Sequence, residues 1–290
     1  MKELNGYFAA LPTPFSADGQ KVAQKSLGDL AQFNIEANLD GLYVAGSTGE
    51  AFLMSVAERE TVLATVAEAA GGKTMLIAHV GDPNPAVSAR LAKFAAKCGY
   101  DIISAVPPFF YGYCVEEMTV HYRWLSGQTD RPFVIYNFPT LSGVKWSPAQ
   151  LAELLSLPNV VGVKNTCSDL YAFEQLRRLA PDSTLLHGFD ESLLAGLGLG
   201  ADGGIGSTYN VQASRILALA KAHNEGRNND ARALQSEANA LIDILVAFGI
   251  IPSLKFILSQ RGIDMGECRK PFGTLTTSQK EMLEAVLVAT

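Results

Sequence analysis

A lysine that closes an apolar run is an unusual place for a charge. The segment Val160-Val161-Gly162-Val163-Lys164 reads as a buried strand ending on Lys164, whose side chain points into whatever lies at the strand's mouth. Either its stem crosses apolar surface while the ammonium reaches water or a carboxylate, or desolvation lowers the amine pKa and makes it a nucleophile toward carbonyls through a Schiff base. Gly46-Ser47-Thr48-Gly49 sets two hydroxyls between two glycines. Such a turn can present N–H groups and hydroxyls to a carboxylate or phosphate, or simply cap a helix. Tyr136, in Tyr136-Asn137-Phe138-Pro139, is a proton carrier or an aromatic whose hydroxyl has found a partner. Asp190-Glu191 are first-turn acids of a helix, or acceptors for a polyhydroxylated substrate.

Other candidates fall away. Gly198-Leu199-Gly200-Ala201-Asp202-Gly203 has GxGxxG spacing but follows a helix and enters a strand, the reverse of the dinucleotide-binding order. His79, His121, His187 and His223 are far apart, and none stands with a Ser or Cys in a nucleophile-elbow context. Cys98, Cys114, Cys167 and Cys268 form no CxxC pair and have no His at ligand spacing, so no metal site is expected.

The elements that must hold these residues alternate. Short apolar runs at Tyr7 to Leu11, Gly41 to Ala45, Met75 to His79, Asp101 to Val106, Phe133 to Asn137, Val160 to Lys164, Thr184 to His187 and Gly203 to Ile205 read as eight strands. They are near-continuously apolar, as parallel strands covered on both faces must be. Between them, Ser55 with Glu58 predicts a capping box and Gly71 a helix end, while Asn84-Pro85 and Ser147-Pro148 predict N-termini. Alternation with short loops leaves an open doubly wound sheet or a closed barrel, and a count of eight favours an α/β (β/α)8 TIM barrel over residues 1–210. From about Val211 to 290 the chain reads as a helical extension packed on the barrel in the same structural unit. There Leu234, Ala238, Leu241, Leu245 and Phe248 share one face, to be covered by the barrel or by another subunit. In such a barrel chemistry sits at the C-terminal strand ends, which is where the residues above fall.

Composition narrows the partners. With 290 residues, 48% apolar, and 23 basic against 29 acidic side chains for a net charge of −6, the chain can bury a large core and offers no basic surface for nucleic acid or anionic lipid. Its greasiest stretch, Leu241 to Leu258, contains Asp243, Gly249, Pro252 and Lys255 and does not read as a spanning helix. Scattered cysteines and a short, Pro12-closed apolar stretch at the N-terminus point to a cytoplasmic protein acting on small solutes.

Together, Gly46 to Glu50, Tyr136 to Pro139 and Lys164 resemble the pyruvate-dependent class I aldolase family that includes dihydrodipicolinate synthase and N-acetylneuraminate lyase. Leu42 to Phe52, Leu141-Ser142-Gly143-Val144, Gly188-Phe189-Asp190-Glu191, Gly203 to Asn210 and Cys268 to Gly273 look like the lyase branch, and the likeness spans essentially the whole chain. The resemblance implies that Lys164 forms the Schiff base with C2 of pyruvate or of the open-chain sialic acid. Ser47 and Thr48 would hold the carboxylate, Tyr136 would shuttle the proton, and Thr166, Gly188, Asp190, Glu191 and Ser207 would contact the sugar-derived hydroxyls. No metal or organic cofactor is implied, and a homotetramer is.

Two positions bear on the branch. Where synthases place an arginine for a second carboxylate, this chain has Leu141, which suits a neutral hydroxylated tail. Where they have a tyrosine given across a subunit interface, it has Phe110, so either Tyr111 reaches in or Ser47 and water complete the relay. The readings that stand beside lyase cleavage are an aldolase or dehydratase of other 2-keto-3-deoxy sugar acids, the synthase itself, and a pyruvate- or sugar-acid-binding sensor.

Overall fold

A computed structural model describes residues 4–289, with side chains to residue 285 at that end. Residues 1–3 and 290, which the predicted boundaries include, lie outside it. Strands β1 (Gly6–Ala10), β2 (Gly41–Val44), β3 (Met75–His79), β4 (Ile102–Ala105), β5 (Phe133–Asn137), β6 (Val160–Asn165), β7 (Thr184–His187) and β8 (Gly203–Gly206) occupy the eight predicted places. All pair in parallel, in chain order, and the β1–β8 ladder closes the barrel. Period-two alternation sorts each strand into two cores. Phe8, Ala10, Tyr43, Ile77, Val134, Leu186 and Ile205 fill the barrel interior, while Ala9, Leu42, Val44, Ile103, Ile135, Val163 and Leu185 face the surrounding helices.

That outer layer comprises α1 (Gln24–Glu36), α2 (Val56–Ala70), α3 (Pro85–Lys97), α4 (Val115–Ser126), the single turn α5 (Pro139–Ser142), α6 (Pro148–Leu155), α7 (Leu170–Leu179), α8 (Leu193–Gly198) and α9 (Tyr209–Asn224). The predicted ends are present: Ser55 and Glu58 cap α2 reciprocally and Gly71 closes it in the left-handed conformation, while Asn84 and Ser147 cap α3 and α6 with proline at the next position.

The extension follows as α10 (Asn228–Phe248), α11 (Ile250–Gln260) and α12 (Thr277–Ala289). The eighth crossover helix of the barrel is α9, so the predicted boundary at 210 falls inside it. On α10 the apolar stripe is spent within the chain: Ala238, Leu241 and Leu245 are buried and Leu234 and Phe248 pack against the main core. At Gly249, whose φ of 95° favours a residue without a Cβ, α10 and α11 turn by 113°. Among the described residues no single helix is long and apolar enough to cross a membrane.

Candidate active site

β6 carries one more residue than β5 requires. Phe133 pairs with Val160 and Val134 with Gly162, so the ladder skips Val161 and resumes with Tyr136 opposite Lys164. A one-residue slip would turn every following side chain to the other face, so this bulge aims Lys164 inward beside Tyr136. All nine sequence-predicted residues (Ser47, Thr48, Tyr136, Lys164, Thr166, Gly188, Asp190, Glu191 and Ser207) line one cavity of about 510 Å³ at the C-terminal strand ends.

Lys164 is 5% exposed. Its Nζ lies 4.2 Å from the ring centre of Tyr43 and 4.1 Å from that of Tyr136, and none of the described salt bridges includes it. Burial without a contacting carboxylate pushes the amine down to about 7, partly opposed by the more distant Asp190. A large share of the amine is therefore neutral, and nucleophilic, near neutral pH. Burial pushes the Tyr136 hydroxyl up to about 12, against the pull of the neighbouring Ser47 and Thr166 hydroxyls. Tyr136 thus enters any reaction holding its proton.

The Gly46-Ser47-Thr48-Gly49 turn is bracketed by two non-glycine residues at positive φ, Ala45 (58°) and Glu50 (56°). Such strain persists only where neighbours over-determine it, and here they do. Gly49 N–H donates to Gly46 O and Glu50 N–H to Ser47 O, while Thr13 Oγ1 donates to Gly49 O at 2.7 Å. The Ser47 and Thr48 side chains stay half-buried at the cavity wall.

Across the cavity, Asp190 sits in a 3-10 turn (Asp190–Ser192) and not in the first turn of an α-helix. Its Oδ2 already accepts from Thr208 N–H (2.8 Å) and Thr208 Oγ1 (2.6 Å). Only Oδ1 remains for a ligand, and it lies over Gly206, where a Cβ would strike it. Burial holds this carboxyl up, at about 6. Glu191 is exposed at the rim. α10 clamps both residues through their backbones, Gln235 donating to Asp190 O and Asn239 to Glu191 O, each at 3.0 Å. Thr166 Oγ1 is buried beside the Tyr136 hydroxyl and lies over Gly188, which has no Cβ to displace it.

Two parts of the cavity were not foreseen. One is an apolar wall at the α10–α11 corner, made by Ile242, Val246, Phe248, Ile250, Ile251 and Pro252; the other is the strap Phe272-Gly273-Thr274. A glycine between two apolar helical stretches was the available signal for the first. The strap is anchored by Arg269, which donates to the carbonyls of Gly19, Gln20 and Leu53 and pairs with Glu58. Its backbone N–H also donates to Glu50 Oε2 at 2.8 Å. The other Glu50 oxygen pairs with buried Lys255 at 2.6 Å, so the turn and the strap are tied together. Within the single chain, Phe110 and Tyr111 lie outside this cavity, 87% and 67% exposed and packed edge-on against each other.

The model of the Dihydrodipicolinate synthetase family matches residues 3–290. N-acetylneuraminate lyases of Enterobacter sp. (strain 638) and Escherichia coli (strain SMS-3-5 / SECEC) are each 47% identical, over 98% of this chain and 96% of theirs. Among solved structures, CdNal from Clostridium difficile in complex with mannosamine superposes with a TM-score of 0.97 at 33% identity, over 99% of both chains. N-acetylneuraminate lyase from Fusobacterium nucleatum complexed with pyruvate does so with a TM-score of 0.93 at 34% identity, over 99% of this chain and 97% of that one. A closed parallel barrel with a buried strand-end lysine and a match along nearly its full length place the chain in the dihydrodipicolinate synthetase family.

Proposed function

We propose that this protein is a Schiff-base aldolase that reversibly cleaves N-acetylneuraminate to N-acetylmannosamine and pyruvate. The observation that carries the reading is Lys164 itself: a buried amine between two aromatic rings, free of any contacting carboxylate, in a cavity whose opposite ends offer a hydroxyl-bearing turn and a pair of acids. Relatives sharing 47% of their residues carry that activity by name.

The neutral Lys164 amine attacks C2 of the open-chain keto acid and expels water, giving an iminium. Ser47 and Thr48 hold the carboxylate beside it. Tyr136 accepts the C4 hydroxyl proton while its own passes through the neighbouring Ser47 hydroxyl to water, the same relay later returning a proton to C3 of the enamine, and the C3–C4 electrons flow into the iminium as the bond breaks. The aldehyde departs as N-acetylmannosamine. The enamine left on Lys164 takes a proton at C3, and water releases pyruvate. Thr166, Gly188, Asp190, Glu191 and Ser207 line the side of the cavity where the polyhydroxyl chain lies, and Asp190 does so through Oδ1 alone. No step calls for a metal or organic cofactor.

Leu141, exposed on α5 beside a small apolar cavity of about 300 Å³ that it shares with Ser47 and Phe272, supports the lyase over the synthase. An anionic second substrate finds no guanidinium there. The oligomer we propose is a homotetramer. Since the α10 stripe is buried in its own chain, self-association rests on other surface, and Phe110 and Tyr111 supply exposed aromatic area. The four free thiols suit a cytoplasmic location.

The test is borohydride reduction in the presence of pyruvate with peptide mapping of the adduct, alongside cleavage rates for N-acetylneuraminate and 2-keto-3-deoxygluconate. A label on Lys164 and faster cleavage of N-acetylneuraminate are expected. A label on another lysine defeats the mechanism, faster cleavage of 2-keto-3-deoxygluconate reassigns the substrate, and pyruvate binding without turnover of either makes the protein a sensor.

A further inference from the structure

Tyr43 is fully buried in the barrel interior and is not among the residues lining the cavity. It meets the lysine, the tyrosine and the turn. Its ring centre is 4.2 Å from Lys164 Nζ. It meets the Tyr136 ring edge-on at 6.0 Å, with 85° between planes. A Cβ on Gly46 would lie 2.6 Å from Tyr43 Cε1, so the ring also underlies the first residue of the carboxylate turn. Its hydroxyl is fixed by Ser104 Oγ at 3.1 Å, and its flank is tilted against His79 at 6.1 Å. The His79 ring in turn receives Val106 N–H at Nε2 and donates from Nδ1 to Ala45 O at 2.9 Å, pinning the residue at which the turn leaves β2.

We propose that Tyr43 is a positioning residue of the reaction: its ring is a rigid spacer that fixes the distance between the Lys164 amine and the Gly46–Gly49 turn. A keto acid seated by its carboxylate then presents C2 to the amine. This rests on the Schiff-base reading and deepens it. An aromatic ring suits the task because it is rigid in two dimensions, and its face attracts an ammonium or iminium without a carboxylate's ability to hold the lysine protonated.

The experiment compares Tyr43→Phe and Tyr43→Leu with Tyr100→Leu in the intact protein, reading the rate of pyruvate-dependent borohydride labelling, its dependence on pyruvate concentration, and the melting temperature. Tyr100 is an equally buried tyrosine, bonded to Leu63 O outside the site, and controls for the loss of a core ring. Tyr43→Phe keeps the spacer and labels at close to the unsubstituted rate. Tyr43→Leu labels about tenfold or more slowly and requires more pyruvate, because amine and turn lose their shared support. Tyr100→Leu lowers the melting temperature with labelling intact. The proposal is overturned if Tyr43→Leu labels normally, if Tyr43→Phe is as slow as Tyr43→Leu, or if Tyr100→Leu slows labelling equally. Should Tyr43→Leu not fold, Tyr43→Phe and Tyr43→Trp decide: an undersized loss with Phe and a large one with the misfitting Trp sustain the spacer, and equal rates in both refute it. Failure of the unsubstituted protein to label Lys164 would instead sink the underlying mechanism.

Discussion

Lys164 is a charged residue type placed where charge is disfavoured, and its chemistry follows from that conflict. Its amine falls to about 7, so the rate of imine formation with pyruvate should climb as pH rises through that region and level off above it. Lys164→Arg should abolish turnover and labelling, since a guanidinium keeps the charge and cannot deprotonate to attack a carbonyl. Residual cleavage in that variant would move the nucleophile elsewhere. Glu191, exposed on the rim and opposite the pyruvate side, tests substrate choice. Glu191→Ala should weaken transition-state binding of N-acetylneuraminate by about 2 kcal/mol, the scale of a lost charged hydrogen bond, and leave pyruvate labelling of Lys164 unchanged. Equal loss of both would make Glu191 a support of the fold. Asp190 shows what residue types alone do not reveal. The Asp-Glu pair reads as two equivalent acceptors in sequence, yet Thr208, eighteen positions on, takes one oxygen of Asp190.

Among elements, the strands were readable because parallel strands covered on both faces must be apolar throughout, and such runs stand out between capped helices. Their exact register was not. Val160, Val161 and Val163 are alike to hydropathy, and only the glycine at 162 hints at the irregularity that turns Lys164 inward. The place of the α10–α11 corner and of the strap at the cavity was not legible for a different reason: Ile250 looks like any core residue, and Cys268 to Gly273 stands out by resemblance alone, until distant segments bring them to the site. The strap's anchor makes a prediction at this level. Lys255 is 2% exposed and Glu50 3%, so Lys255→Met should cost about 3–5 kcal/mol by leaving a buried carboxylate unpaired. The double variant Lys255→Met with Glu50→Gln should recover part of that loss, as urea melts would show. A single variant as stable as the parent would mean the pair contributes nothing.

As a whole molecule the protein hides three histidines in neutral form. Burial depresses His79 to about 3 and His121 and His187 to about 4, from an ordinary 6.5. Between those values the unfolded chain takes up protons that the folded chain refuses, so stability present above pH about 6.5 is lost as pH falls toward 4. Glu58, held down at about 2 by Arg269, adds its own loss only below the ordinary carboxylate range, near 4.5. Thermal melts should therefore show a falling melting temperature from pH 6.5 downward, and a flat profile to pH 5 would contradict the histidine account. At neutral pH, sedimentation at micromolar concentration should give a species well above the 31.0 kDa of one chain. A single-chain species alone would remove the proposed assembly.

The tie from Arg269 to Glu50 spans 219 positions, and it sets an order of events during synthesis. The barrel can close once Gly203 to Gly206 has left the ribosome and paired with β1. The turn beside Lys164 must still wait for a segment made more than sixty residues later before its last restraint arrives. Scaffold and turn are thus completed by segments far apart in the order of synthesis. A copy that stops short of Arg269 carries all eight strands and Lys164 but lacks the backbone N–H that fixes Glu50 Oε2.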